Sequence, residues 1–155
     1  MSTAPSFDAT LPLLQRAPLF GGVPDRHLAL VWDHADFRTL AAGETLVREG
    51  DAARSMFLVL SGRIAVIRHG ARLGTFGPGD CVGEMALIDI QPRSADLVAI
   101  TELCVMELGF EDLLLLQDAS LETYAIIVLN LARELSRRLR KANAALLAAG
   151  LPGVH

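Results

Sequence analysis

The spacing of apolar and polar positions along this chain changes twice. From Leu11 to His34 the apolar residues recur at helical intervals, with Leu28, Val31 and Trp32 on one face. Pro18 and the Gly21-Gly22 pair interrupt the pattern, and Pro24 suits a first helical turn. The zone over about residues 10–34 therefore predicts a short first helix followed by a second one. From Asp36 to Leu108 the apolar runs shorten, and Gly, Asp and Pro bound them. Strands are predicted over Phe37–Leu40, Glu44–Arg48, Met56–Leu60, Arg63–Arg68, Leu73–Phe76, Asp80–Val82, Ala95–Ile100 and Leu103–Leu108. Ala42-Gly43, Gly50-Asp51, Ser61-Gly62, His69-Gly70 and Pro78-Gly79-Asp80 read as the turns between them.

Eight short strands with brief turns predict a sandwich or barrel. The runs Phe57-Leu58-Val59-Leu60 and Ile64-Ala65-Val66-Ile67 are apolar at every position, as central strands covered on both faces should be. From Phe110 onward the helical period returns. It predicts a short helix over Leu113–Leu116 and a long one from about Ser120 to Ala149. Leu121, Tyr124, Val128, Leu131, Leu135, Leu139, Ala142 and Leu146 fall on one stripe of that helix. It outlasts what a small core needs, so past about Arg140 the helix is expected to project, with Leu146 and Leu147 exposed. The fold class is α+β: an eight-stranded, jelly-roll-like β-roll over about residues 36–108. Helices flank it on the N-terminal side, and helices over about residues 110–149 flank it on the C-terminal side.

Composition narrows the function. The 155 residues are enough for one domain, and 52% apolar with 21% charged residues describes a globular chain. Aromatics at 5% supply no stacking platform for single-stranded nucleic acid, and a net charge of −4 supplies no general positive field for DNA or an anionic membrane. Direct DNA binding is not expected. The two cysteines, Cys81 and Cys104, are too few for a disulfide scaffold and have no metal-ligand spacing, which suits a cytoplasmic setting. The opening residues lack the pattern of a secretory signal, and the apolar run Tyr124–Leu129 stops at Asn130, far short of a membrane span.

The chemistry concentrates between Phe76 and Ala95. A strand ending at Val82 meets Gly83, which lets the backbone turn tightly, and Glu84 to Ile88 can then form one helical turn. The N–H groups at such a start lack intrahelical partners and suit an anion. Pro92 sets the chain direction, after which Arg93 brings a guanidinium fork for phosphate oxygens and Ser94 a hydroxyl. Glu84 would repel a phosphate, so its sensible partner is a sugar hydroxyl some distance away. A small ligand with one phosphate and one ribose fits this set.

Gly83-Glu84-Met85-Ala86-Leu87-Ile88 followed by Pro92-Arg93-Ser94-Ala95 closely resembles the phosphate-binding cassette of cyclic nucleotide-binding domains. Bacterial catabolite activators, protein kinase A regulatory subunits and cyclic-nucleotide-gated channels carry such domains. The resemblance covers about residues 15–145. It implies that Glu84 binds the ribose 2′-hydroxyl and Arg93 the cyclic phosphate. Ser94, Met85 and backbone N–H groups around Gly83 and Ala86 would complete the cage. The family cassette often has an aromatic residue where Val82 stands. The resemblance implies 3′,5′-cyclic AMP or cyclic GMP as ligand, no cofactor and no catalysis.

The long last helix carries a basic cluster, Arg133, Arg137, Arg138, Arg140 and Lys141, with Glu134 the opposing charge. It reads either as a solvated face or as the source of one arginine that reaches the purine. The resemblance implies that the C-terminal helices act as lid helices that close over the ligand, and the apolar stripe of the long one is expected to pair two copies weakly. No helix-turn-helix follows Ala149, so output is expected through a partner protein or through self-association. Two rivals stay open: an interaction module that binds no nucleotide, and a relative of transcription regulators that acts with a DNA-binding paralogue.

Overall fold

The computed structural model describes residues 4–89 and 91–153. Helix α1 (Phe7–Arg16) starts earlier than the apolar spacing indicated, because the Ser6 hydroxyl accepts from the Ala9 N–H and caps it. A single 3₁₀ turn (Pro18–Phe20) and helix α2 (Asp25–His34) follow, with Pro24 just outside the helix it was expected to begin. Phe7, Trp32 and Phe37 pack in series as tilted rings, with centroids 5.7 Å and 4.5 Å apart, and tie both helices to the first strand.

All eight strands are present: β1 (Asp36–Leu40), β2 (Thr45–Val47), β3 (Ser55–Ser61), β4 (Ile64–Arg68), β5 (Ala71–Phe76), β6 (Cys81–Val82), β7 (Asp96–Ala99) and β8 (Leu103–Gly109). They form two four-stranded antiparallel sheets, ordered β1-β8-β3-β6 and β2-β7-β4-β5. Strands β3 and β4 lie inside their sheets, as their unbroken apolar runs required. The period of two divides β3 between two cores. Phe57 and Val59 point into the roll with Ile64, Val82, Leu97 and Val105. Met56 and Leu58 point outward under the helices, against Leu14, Phe20, Leu28, Leu113, Ile127 and Leu131. The result is three layers: helices, the β3 sheet and the β4 sheet. Gly62 closes the β3–β4 turn at φ +84, where a Cβ would stand 2.0 Å from the Glu102 carbonyl oxygen. Only glycine fits there.

Helix α4 (Phe110–Ala119) extends the short helix expected over Leu113–Leu116, and Asp112 accepts from the Gly109 N–H at its start. Helix α5 (Leu121–Ala148) starts at the Ser120 cap, whose hydroxyl accepts from Thr123. Its packed face differs from the predicted stripe. Thr123, Ile127, Asn130 and Leu131 are buried, whereas Leu121, Val128 and Leu139 are exposed. Buried Asn130 donates to the carbonyls of Leu19 and Gly21, each at 2.9 Å. His27 bonds Thr123 through Nδ1 at 2.6 Å. Leu147 is exposed as expected, but Leu146 is half-buried, because the chain folds back and the Leu151 N–H bonds the Leu146 carbonyl.

Candidate functional site

The cassette begins where β6 ends. Gly83 adopts φ +74, and a Cβ on it would meet Arg93 Nη1 at 2.6 Å, so glycine is needed both for the turn and for the arginine beside it. Glu84 lies in helical conformation, and Met85–Ile88 form the single turn α3. The chain then returns through residues 91–95 and enters β7 at Asp96, three residues beyond Arg93. Arg93 is instead pinned by its backbone to the Gly50-Asp51 turn. Its N–H donates to the Asp51 carbonyl, and its carbonyl accepts from the Gly50 N–H, both at 2.8 Å.

That backbone clamp sends the guanidinium inward. Arg93 is only 8% exposed. Its Nη2 donates to the Ser55 carbonyl at 2.9 Å, its Nη1 to the Gly83 carbonyl at 3.3 Å, and its plane lies 5.3 Å over the Phe57 ring. The buried Nε has no partner among the described residues, and no carboxylate there forms an ion pair with Arg93. Burial pulls its pKa below the usual arginine value, with Glu107 and Asp51 opposing from a distance. The group remains a cation at any physiological pH. A nearly buried, unneutralised arginine is a position that an anion completes.

Glu84 is also buried, at 5% exposed. It does not pair with Arg93 among the described residues. Arg138 of α5 donates to Glu84 Oε1 through Nη1 and to the Cys81 carbonyl through Nη2. Its Nε reaches Glu134 Oε1 at 3.3 Å, and its guanidinium lies 5.0 Å from the Phe76 ring centroid. The basic cluster thus resolves into one arginine on the cassette, while Arg133, Arg137, Arg140 and Lys141 lie exposed. Spacing could not single out Arg138, because the choice depends on how α5 is rotated about its axis.

Gly83, Glu84, Met85, Arg93 and Ser94 line one cavity of about 220 Å³, with Arg138 on its rim. Ala86 sits in the α3 turn, and its side chain lies outside the described residues. The remaining walls are apolar: Val47, Val66, Leu73, Phe76, Val82 and Leu97. Sequence reading missed Ser55, which holds Arg93, and the half-buried Phe76 ring with the exposed Leu73 beside the cavity. Nothing local marks them. Cys81 lies beneath the site, and burial pushes its thiol far above the usual range, so it is an inert core residue. Val82 packs into the roll core in place of an aromatic residue.

A roll of two four-stranded sheets whose cassette sets a buried arginine and a buried glutamate on one cavity has the form of a small-ligand-binding domain. The model for the cyclic nucleotide-binding domain matches residues 37–119. The chain belongs to that family. It is 31% identical over 135 residues to the cyclic AMP receptor protein of Thermus thermophilus, an alignment covering 84% of this chain and 61% of that one. It is 39% identical over 108 residues to Glutaminase 2 of Bradyrhizobium diazoefficiens, covering 69% of this chain but 17% of that protein. The N-terminal domain of a transcriptional regulator from Streptomyces coelicolor superposes with a TM-score of 0.72 at 33% identity, covering 86% of this chain and 96% of that one. The chain therefore spans under two thirds of the full-length relatives it matches here.

Proposed function

We propose that this protein is a non-catalytic sensor of a 3′,5′-cyclic nucleotide, cyclic AMP first, and that it signals through α5 to a partner or through self-association. The observation that carries this reading is Arg93: a guanidinium 8% exposed, with a free Nε and no carboxylate counter-ion among the described residues, on the wall of a cavity. A cyclic phosphate supplies the missing charge, and the Ser94 hydroxyl and the N–H groups of the Gly83–Ala86 turn complete its cage. Glu84 accepts from the ribose 2′-hydroxyl, and the apolar walls with Phe76 and Leu73 receive the base. The name of the Thermus relative supports cyclic AMP.

Switching follows from the pair that Glu84 already makes. In this structure Arg138 occupies Glu84, so a ribose hydroxyl arriving there competes with the arginine that fastens α5 to the cassette. Ligand then favours a state in which Arg138 turns toward the base or α5 shifts, a population change set by the difference in affinity between the two states. The outward stripe of α5, with Leu121, Val128 and Leu139 exposed, offers a seam for a weak homodimer. The match to the N-terminal part of a transcriptional regulator supports a second reading of the output, in which this chain senses beside a DNA-binding paralogue. Among the described residues, no helix is long and apolar enough to cross a membrane. Calorimetric titration with cyclic AMP and cyclic GMP tests the proposal: saturable binding at one site per chain is expected, and no heat with either nucleotide at millimolar concentration would overturn it.

A further inference from the structure

A second cavity, larger than the cassette pocket at about 750 Å³, opens beside Ser55. Such a volume suits a small ligand or a few side chains of a peptide. Its walls come from the end of α2 (His34), the start of β1 (Asp36), Arg54 and Ser55 at β3, Ile88 of the α3 turn, and the β8–α4 junction from Glu107 to Asp112.

Four carboxylates line it, those of Asp36, Glu107, Glu111 and Asp112. Two are engaged. Glu107 accepts from the Ser55 hydroxyl at 2.7 Å and lies 3.9 Å from Arg38, and Asp112 accepts from the Gly109 N–H at 2.7 Å. Asp36 and Glu111 are exposed and have no ion-pair partner among the described residues. Burial raises the Asp112 pKa, and Asp36 and Glu111 add to that rise, against the Gly109 N–H and His34. The carboxylates are therefore near enough to repel one another. Two large apolar side chains flank this negative mouth, Ile88 at 57% and Phe110 at 52% exposed. Arg54 lines the same groove and Arg38 stands beside Glu107, so four carboxylates face two guanidinium groups and the mouth stays net negative. Exposed apolar surface beside that excess of negative charge selects a partner that is basic and apolar together.

We propose that this groove docks a partner segment carrying arginine or lysine together with one large apolar side chain, which packs between Ile88 and Phe110. The groove is also wired to the cassette. Ser55 accepts from Arg93 and donates to Glu107, and Ile88 belongs to the cassette turn. A segment seated here touches the residues that hold the anion site without entering it.

The test is fluorescence anisotropy of a labelled amphipathic peptide, leucine on one face and arginine on the other, against the full chain without nucleotide. Saturable, salt-sensitive binding of one peptide per chain is expected. The pair Asp36→Lys with Glu111→Lys and, separately, Phe110→Ser should each weaken it by about tenfold. All three positions are exposed, so a melting curve should show both variants folded. Equal binding by the variants, equal binding of a leucine–glutamate peptide, or no saturable binding overturns the proposal. If the charge-reversed pair instead abolishes self-association in sedimentation, the occupant is a second copy and the partner segment is refuted. Because no nucleotide is present, this docking and the nucleotide reading fail separately.

Discussion

Removing the Arg93 side chain should separate ligand binding from folding. The guanidinium is 8% exposed, makes its bonds to the carbonyls of Ser55 and Gly83, and meets no carboxylate among the described residues. Truncating one member of a buried charge pair costs about 2–5 kcal/mol of affinity, roughly 30- to 4,000-fold. In the free protein two effects of Arg93→Ala oppose each other: hydrogen bonds to two carbonyls and the stacking on Phe57 are lost, and a cation no longer has to be buried without a counter-ion. The melting temperature without ligand should therefore move by only a few degrees. With cyclic AMP at about 100 times the wild-type dissociation constant, the wild type gains roughly 2.7 kcal/mol. For a chain of this size that is a rise of about 5–11 °C. A 30-fold weaker variant at the same concentration gains roughly 0.9 kcal/mol, about 2–4 °C, and a thousandfold weaker one gains almost nothing. Arg93→Lys keeps the charge but loses the fork, and should fall between them. The assay is a thermal melt with and without nucleotide, paired with calorimetry. If Arg93→Ala shows the full wild-type shift, the anion does not sit on Arg93 and the cassette assignment is wrong.

Glu84→Gln should weaken cyclic AMP binding less than Arg93→Ala, and the 2′-deoxy nucleotide should lose affinity on the wild type but little on the variant. Equal losses on both proteins would move Glu84 away from the ribose. Gly83→Ala forces a Cβ to within 2.6 Å of Arg93 Nη1 at φ +74, so it should cost about 1–3 kcal/mol of stability and displace the arginine. Chemical denaturation together with a nucleotide titration reads both effects. Leu139→Asp, on the exposed stripe of α5, should leave the fold intact and abolish self-association. Sedimentation of the wild type showing only monomer at high concentration would refute that seam.

Much of this fold was legible locally. The turns that end each strand, the unbroken apolar run Met56–Leu60 and the return to helical spacing after Phe110 are properties of neighbouring residues, and the strands occur where those signals put them. The cassette was legible for the same reason, since Gly83, Glu84 and Arg93 sit within one short segment that must turn and come back. Tertiary structure decided what depends on rotation and approach between distant segments. A stripe of leucines on α5 predicts that one face is apolar but not which face is packed. Here the carbonyls of Leu19 and Gly21 and the carboxylate of Glu84 drew Asn130 and Arg138 inward, because buried polar groups must be paired, and Leu121, Val128 and Leu139 were left outside. The arginine that meets Glu84, the serine that holds Arg93 and the acidic groove beside it each join residues far apart in the chain. No spacing along the sequence encodes those meetings; only the packing of α5 and of the β8–α4 junction against the roll does.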